Sequence, residues 1–190
     1  MEPHLSKNDK MLFYKYLDIK TVYFEYGSGG STIQANIRDN IKKIYSVESD
    51  IIWKNAIQNN ISKTNITYFF NEMDTVPNTW GYPGKNATDL QRINYSNHIR
   101  NLNKEDRDAI DLIFIDGRFR VACCLKCFDI MNNDCVIAFD DFLDRPKYHI
   151  VLDYFNIVEQ TSDNRMVILK KKMDVSVPHE LITKYEIIAD

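Results

Sequence analysis

The chain alternates short strand-like segments with helix-like segments along most of its length. The strand-like segments are β-branched, aromatic or continuously apolar, and they are residues 21–26, 43–47, 65–70, 111–115 and 135–139. The helix-like segments carry apolar residues at helical spacing, and they are residues 7–17, 31–40, 50–60, 119–131 and, less clearly, 89–101 and 145–155. This alternation predicts an α/β fold with a mostly parallel sheet covered by helices on both faces.

The end of the chain departs from this alternation. Residues 157–161 and 166–170 flank the turn-forming residues 162–164, which predicts a hairpin with one antiparallel strand. Residues 71–88 hold two prolines and two glycines without an apolar period, and such long loops in a domain are usually functional. We expect one domain over residues 1–190, with its core at about residues 10–172, and we leave the tail after residue 173 unassigned.

Composition excludes several classes of function. The net charge of −3 gives no basic footprint, so we expect no nucleic-acid partner. No apolar run approaches the length of a membrane span, and the first residues do not resemble a secretory signal. Three of the four cysteines crowd between Cys123 and Cys127, which favours a reducing compartment over a disulfide framework. We therefore expect a cytoplasmic protein, and its oligomeric state stays open.

A glycine-rich loop joins the first predicted strand to the next helix, with the sequence Glu25-Tyr26-Gly27-Ser28-Gly29-Gly30-Ser31-Thr32. Ligands of such sheets bind at the carboxyl ends of the strands, where glycine lets the backbone approach them closely. Glu48 ends the next strand, at the position where an acid accepts hydrogen bonds from ribose hydroxyls. Together these features predict a nucleoside-type ligand. The alternative is a tight turn with Ser31 or Thr32 capping the helix.

The residues around the glycines narrow the choice of nucleoside. A dinucleotide-binding loop needs Gly or Ala where this chain has Thr32. Glu25 lies two residues before the first glycine, where a carboxylate would repel a pyrophosphate. The same carboxylate suits the ammonium and sulfonium groups of S-adenosylmethionine (SAM), which carries no phosphate.

At these residues the chain resembles the class I SAM-dependent methyltransferase superfamily. Residues 25–32 resemble its first motif and Val47-Glu48 its second, and the element order extends the resemblance over about residues 10–172. Residues 80–84 and 116–120 resemble a branch of small methyltransferases, some of which modify sugars. The resemblance implies that Glu25 and the loop line the methionine part of SAM, that Glu48 holds the ribose, and that the adenine lies near Trp53 or near Asn71 and Glu72. The loop residues implied to bind SAM are Gly27, Ser28, Gly29, Gly30, Ser31 and Thr32.

Three carboxylates follow the fourth and fifth predicted strands, on the sheet edge that carries the glycine loop. Asp116 ends the fourth strand, and Asp140 and Asp141 end the fifth. Methyl transfer to a hydroxyl needs its proton removed, so Asp116 and Asp140 are candidate catalytic residues. Arg118 or Arg120 is a candidate clamp for an anionic acceptor group, such as a nucleotide-sugar phosphate or a uronate, and Arg118 is the one placed among the catalytic candidates. Alternatively, these acids cap helices or pair with arginines, namely Arg118, Arg120 and Arg145.

Several Asp residues without His suit a hard ion, so Asp116, Asp140 and Asp141 are also candidate ligands for Mg²⁺ or Mn²⁺. Some metal-dependent sugar and catechol O-methyltransferases carry acids at these strand ends, and this sequence is similar there. Some of the sugar enzymes have His where this chain has Phe119. His149 is the His nearest the predicted crevice in sequence, and a weak candidate base. Cys123, Cys124 and Cys127 lack the further ligands of a zinc site and are expected in the core.

The sequence thus predicts a SAM-dependent methyltransferase that methylates an oxygen of a small polar acceptor, such as a sugar or nucleotide-sugar. One alternative is a non-catalytic SAM-fold protein that serves as a binding or regulatory module. Another is an NAD-type oxidoreductase, against which Thr32 and Glu25 count.

Overall fold

Seven strands form one sheet in the computed structural model, which describes residues 1–189. The strands are β1 (Val22–Tyr26), β2 (Lys43–Glu48), β3 (Ile66–Phe70), β4 (Leu112–Ile115), β5 (Val136–Phe139), β6 (Phe155–Gln160) and β7 (Val167–Lys171). The α-helices are α1 (Lys7–Leu17), α2 (Gly30–Ile37), α3 (Ile51–Gln58), α4 (Asp89–Asn97), α5 (Lys104–Ala109), α6 (Arg120–Cys127) and α7 (His179–Tyr185). Two 3₁₀ helices span His98–Asn101 and Pro146–Asp153.

The strand order is β3-β2-β1-β4-β5-β7-β6, and the pairs among the first five strands are all parallel. β7 pairs antiparallel with both β5 and β6, which confirms the predicted antiparallel hairpin strand. The chain reaches β2 and β3 on one side of β1, and β4 and β5 on the other. The order of strands therefore reverses between β1 and β4, where such sheets bind their ligands.

Both faces of the sheet are buried, as the apolar strands predict. On β1, Tyr23 packs with Phe13 of α1 against one face, whereas Phe24 packs into the cluster that covers the other. Consecutive residues point to opposite faces of a strand, so a strand covered on both sides has to be apolar throughout. Cys123, Cys124 and Cys127 lie within the second cluster as free thiols, which confirms that they belong to the core.

The helices differ from prediction mainly in length. α6 ends at Cys127, before the predicted end at residue 131, and residues 146–153 form a 3₁₀ helix. α5 and α7 were not predicted. α5 has the sequence KEDRDA with no buried residue, and α7 buries only Ile182, so neither carries an apolar period. Within residues 1–189, none of the helices has both the length and the apolarity required to cross a bilayer.

Candidate active site

A cavity of about 1160 Å³ lies at the carboxyl ends of the parallel strands. Most of the predicted site residues line it, and these are Gly27, Ser28, Gly29, Gly30, Ser31, Glu48, Trp53, Glu72, Asp116, Arg118, Asp140 and Asp141. Three predicted residues, Glu25, Thr32 and Asn71, are buried outside its lining. The reversal of strand order therefore brings the glycine loop, the acid of β2 and the acids of β4 and β5 around one space.

Glu25 lies beneath the glycine loop rather than in the cavity. Its carboxylate accepts hydrogen bonds from four hydroxyls: Tyr23 (2.8 Å), Ser31 (2.8 Å), Ser46 (2.6 Å) and Thr32. Burial raises its pKa to about 7, although the four hydroxyl donors act in the opposite direction. Thr32 also accepts the N–H of Gly29 at 2.8 Å. Glu25 and Thr32 thus fix the start of α2 to β1 and β2, and both lie outside the cavity lining, so the predicted contact of Glu25 with the methionine part of SAM stays a prediction.

Glu48 ends β2 and lines the cavity, as predicted. One carboxylate oxygen accepts from the backbone and hydroxyl of Ser28 at 3.1 and 2.9 Å. The other accepts from the N–H groups of Ser49 and Asp50 at 2.7 and 2.8 Å. Burial raises the pKa of Glu48, and these bonds oppose that rise. The carboxylate is therefore held rigidly, and a ribose hydroxyl has to share or displace one of these partners.

Trp53 lies on the cavity wall at the start of α3. The Asp50 side chain caps this helix by accepting the N–H groups of Ile52 and Trp53 at 2.9 and 3.0 Å. The Trp53 indole N–H donates to the Ser28 carbonyl at 2.6 Å, which ties α3 to the glycine loop. Its ring meets that of Trp80 edge-on, with the centroids 6.1 Å apart. Trp53 is thus placed beside the loop, where an adenine ring can pack against it.

The loop over residues 71–88 forms a second wall of the cavity. A Cβ at Gly81 would lie 3.0 Å from the Ser49 hydroxyl and 3.7 Å from Glu48 Oε1, so this loop lies directly against Glu48. Gly81 has a φ of +74°, which favours glycine. Arg118 holds the loop by donating to the carbonyls of Thr79 (2.7 Å) and Trp80 (3.1 Å). Arg118 therefore shapes the pocket wall, a role that the predicted acceptor clamp did not include.

Asn71 and Glu72 separate at the end of β3. Glu72 lines the cavity, on the side where adenine is expected. The Asn71 side chain turns away and donates to the Gln91 carbonyl at 2.9 Å. Its Oδ1 lies 3.3 Å from Nε2 of His98, whose pKa burial lowers to about 4. Asn71 thus joins β3 to α4, and of the two residues Glu72 is the one in position to contact a ligand.

Residues 1–4 line the cavity near the start of α2, and sequence reasoning missed them. A Cβ at Gly30 would lie 2.2 Å from the Glu2 carbonyl carbon, so only glycine fits beneath this segment. Glu2 accepts hydrogen bonds from Tyr14 (2.8 Å) and Gln34 (3.0 Å), which fix it to α1 and α2. The His4 ring contacts Trp80 at 5.3 Å between centroids. No local sequence pattern predicts that residues 1–4 form this wall, because their contacts are with residues distant in the sequence.

The acids of β4 and β5 lie together at the other end of the cavity. One oxygen each from Asp116, Asp140 and Asp141 falls within 4.8 Å of the others. Arg120 of α6 fixes both strand ends by donating to the carbonyls of Asp116 (3.0 Å) and Asp140 (2.8 Å). It also donates to Asp116 Oδ1 at 3.0 Å. Asp116 keeps 31% of its side chain exposed, so it is open to a ligand in the cavity.

Asp140 is the protonated member of this group. Burial and the neighbouring charges of Asp116 and Asp141 raise its pKa to about 9, so it holds a proton at neutral pH. Burial also raises the pKa of Asp116, whereas Arg120 and a hydrogen bond from Asp140 lower it. The carboxyls of Asp116 and Asp140 thus share one environment in which burial favours the protonated form of both, more strongly at Asp140.

Arginines surround the three acids of the predicted metal site, and the metal itself stays a prediction. Asp141 already pairs with Arg145 at 2.7 Å, with Arg165, and with Arg120 at 3.5 Å. Asp116 pairs with Arg120, and Asp140 is neutral. Guanidinium groups thus already supply positive charge to the carboxylates of Asp116 and Asp141. The acids thus form ion pairs with arginines, which is the alternative to a metal site at these residues.

Phe119 and His149 complete the predicted residues. Phe119 is fully buried and packs against Tyr95, so the position where related enzymes have His faces the core. His149 Nε2 lies 3.1 Å from the Phe142 carbonyl and outside the cavity lining, so the structure does not support it as a base.

Comparison with known proteins supports the fold. No family model matches the chain, and no curated protein sequence matches it. Among solved structures, a methyltransferase-like protein from Silicibacter pomeroyi has a TM-score of 0.82 at 21% identity, covering 98% of this chain and 97% of that one. The ribosomal protein L11 methylase of Lactobacillus delbrueckii subsp. bulgaricus has a TM-score of 0.59 at 15% identity, covering 91% and 81%. A candidate O-methyltransferase from Klebsiella pneumoniae has a TM-score of 0.56 at 12% identity, covering 90% and 84%.

These structures define the class of fold. The seven-stranded sheet with its antiparallel β7 has the Rossmann-like fold of these methyltransferase structures. The L11 methylase is named for a protein substrate, so this fold does not by itself specify an acceptor.

Proposed function

We propose that the protein transfers the methyl group of SAM to an oxygen atom of a small polar acceptor, with sugars and nucleotide-sugars as the substrate class. The observation that carries this proposal is the single cavity that runs from Glu48 past the glycine loop to Asp116. It joins an acid suited to ribose hydroxyls with an acid suited to remove an acceptor proton. The four buried free cysteines support a reducing, cytoplasmic setting.

The cofactor would lie along the first half of the cavity. Its ribose is proposed at Glu48, its adenine between Trp53 and Glu72, and its methionine part over Gly27 and Gly29. A Cβ at Gly29 would meet nothing nearer than the Ser31 hydroxyl at 4.0 Å, so the space above this glycine is open to a ligand. SAM supplies an electrophilic methyl group on a positively charged sulfur, and these residues would bind and orient it.

The protein's chemical task would fall to Asp116. An acceptor hydroxyl placed beside its carboxylate would give up its proton to Asp116 as the oxygen bonds to the methyl carbon and the carbon–sulfur bond breaks. The neutral Asp140 would stay a hydrogen-bond donor and keep Asp116 ionised. Arg120 would hold both carboxyls in place through its bonds to the two strand ends. This step needs no metal ion.

One observation favours a second candidate, a non-catalytic binding or regulatory module. Four protein donors already fill the carboxylate of Glu48, and Gly81 lies against it. A site with its ribose acceptor filled in this way would bind SAM weakly unless the loop of residues 71–88 shifts.

Two measurements test the proposal. Calorimetry with SAM and S-adenosylhomocysteine measures cofactor binding, and transfer from labelled SAM to a panel of sugars and nucleotide-sugars measures catalysis. Binding together with transfer to oxygen supports the enzyme. Binding without transfer to any acceptor supports the module, and absence of binding contradicts the enzyme.

A further inference from the structure

Four arginines line the cavity, and they differ in how much of their hydrogen-bonding capacity the protein uses. They are Arg118, Arg120, Arg145 and Arg165. A guanidinium carries five N–H donors, so the bonds that it makes within the protein show how many donors remain for a ligand.

Two of the four arginines act as structural ties. Arg120 is buried, and its donors reach the carbonyls of Gly117 (2.9 Å), Asp116 (3.0 Å) and Asp140 (2.8 Å), as well as the Asp116 carboxylate. Arg118 donates to the loop carbonyls of Thr79 and Trp80, and its guanidinium group lies over the Tyr82 ring of the same loop, 5.5 Å from the centroid. Neither is therefore arranged chiefly to receive an acceptor.

Arg145 and Arg165 are different. Their side chains are 36% and 39% exposed, and both line the cavity. Arg145 donates to Tyr148 Oη (3.1 Å) and to Asp141 Oδ2 (2.7 Å), which leaves three of its donors. Arg165 donates from one terminal nitrogen to Asp141 Oδ1, and its Nε lies 3.3 Å from Asp9. Three donors therefore remain on the terminal nitrogens of Arg165.

The two guanidinium groups are also held at a common point. Each binds a different oxygen of the Asp141 carboxylate, so their terminal nitrogens converge beside Asp116 and Asp140. Three arginines, Arg120, Arg145 and Arg165, pair with the single carboxylate of Asp141. Positive charge therefore exceeds negative charge around this carboxylate, which favours a second anion there.

We infer that Arg145 and Arg165 together bind an oxyanion of the acceptor, a carboxylate or a phosphate, beside the hydroxyl that is methylated. This inference rests on the proposed function and narrows its acceptor to an acidic one. The planar fork of a guanidinium matches a carboxylate or phosphate with two parallel hydrogen bonds, which a neutral sugar does not offer. We thus assign the anion-binding role predicted for Arg118 to Arg145, which follows β5, and to Arg165, which precedes β7.

The test uses the full chain saturated with S-adenosylhomocysteine. Inorganic phosphate, acetate and glucuronate are titrated as probes, with glucose as the neutral counterpart of glucuronate, and binding is followed by calorimetry and by the arginine Nε–H signals in NMR spectra. We expect glucuronate to bind at least tenfold more tightly than glucose. Arg145→Gln and Arg165→Gln should each lower the affinity for the anion about tenfold, which is the scale of one charge-assisted hydrogen bond.

Arg107→Gln is the matched control, because Arg107 lies on α5 outside the cavity lining, and it should leave anion binding unchanged. Arg145→Lys keeps the positive charge beside Asp141 and serves if a Gln variant fails to fold; it should also weaken the anion, because it offers fewer donors. Binding of phosphate alone identifies a phosphorylated acceptor. Binding of acetate and glucuronate alone identifies an acceptor that carries a carboxylate.

Absence of binding by all three anions, or equal binding by the arginine variants, would overturn the inference while leaving the methyltransferase proposal intact. Failure of S-adenosylhomocysteine itself to bind is detected first, and it would overturn both.

Discussion

Gly27 and Gly117 bring the loops after β1 and β4 into backbone contact at the point where the strand order reverses. A Cβ at Gly27 would lie 2.8 Å from both Cα and N of Gly117, and a Cβ at Gly117 would lie 2.1 Å from the Tyr95 hydroxyl. Gly27 also has a φ of +93°, which residues other than glycine rarely adopt. This contact forms the floor between the glycine loop and Asp116, so both glycines serve the fold and the site together.

The glycine loop should therefore respond differently at its two ends. Gly27→Ala should destabilise the protein by about 1–3 kcal/mol, because its Cβ has no space and its backbone angle is unfavourable. Gly29→Ala, the matched control, should leave stability nearly unchanged, since open space surrounds that position. Gly29→Val should keep the fold and abolish SAM binding by filling the ligand's space. Urea unfolding and calorimetry check the three variants, and equal stability of Gly27→Ala and Gly29→Ala would contradict the argument.

Glu48 is expected to hold the ribose. Glu48→Ala should weaken SAM binding tenfold or more, about 1.5–3 kcal/mol, because the ribose hydroxyls lose a charged acceptor. The same change leaves four buried donors unpaired, so its stability has to be measured alongside. Glu48→Gln keeps the shape, removes the charge and leaves one acceptor oxygen for two of the four donors, so it should be less destabilising than Glu48→Ala. Unchanged SAM affinity in a folded Glu48 variant would remove this residue from the site.

The fold was predictable because its central strands are buried on both faces. A run such as Leu112–Ile115 has to be apolar throughout in that position, and few other structures require such a sequence. The helices α5 and α7 were not predicted, because α5 buries no residue and α7 buries one. Helices with so few buried residues have no apolar periodicity in their sequence.

The site was predictable only at the level of strand ends. A strand-end carboxylate faces either the cavity or the layer beneath it, and sequence does not distinguish the outcome for Glu25 from that for Glu48. Contacts between distant residues were equally hidden. The wall made by residues 1–4 and the use of Arg118 as a tie to the 71–88 loop depend on how remote segments meet.

The C-terminal segment should depend on one buried ion pair. Lys126 of α6 has no exposed surface, and its ammonium pairs with Glu186 just after α7 and donates to Asn97 Oδ1 at 2.6 Å. Glu186→Ala should cost about 3–5 kcal/mol, because it leaves a buried charge with only neutral partners. Glu180→Ala on the exposed side of α7 is the control and should have little effect. Thermal unfolding compares them, and equal melting temperatures would show that the pair contributes little.

The contribution of Asp140 to stability should fall as the pH rises from about 4 to about 9, whereas that of His98, whose pKa burial lowers to about 4, should rise up to about pH 6.5. The pKa of Asp140 is about 9 in the folded protein against 3.8 for a free side chain, so the native state holds the extra proton over this range. Its contribution is complete below pH 4 and declines as the pH rises, by at most about 1.4 kcal/mol per unit. Glu25, with a pKa of about 7, acts in the same direction below pH 7.

Asp140→Asn isolates this effect, because asparagine is neutral at every pH and nearly the same shape as the protonated acid. The variant should lose less stability than the parent between pH 7 and pH 9, above the range of Glu25. Urea unfolding at a series of pH values measures both slopes. Parallel slopes would show that Asp140 is ionised in the folded protein.

Asp116 is expected to be the general base, and its variants should separate catalysis from binding. Asp116→Asn keeps the shape and removes the charge, so SAM should still bind while turnover falls about a hundredfold or more. The base works ionised and its pKa is raised, so parent activity should increase as the pH rises through that raised value.

Asp140→Asn should retain activity, because an asparagine amide can still donate a hydrogen bond to Asp116. A chelator should leave turnover unchanged, since guanidinium groups occupy the carboxylates that a metal ion would need. Labelled-SAM assays against pH, with and without chelator, measure all of these, and full turnover by Asp116→Asn would remove it from the mechanism.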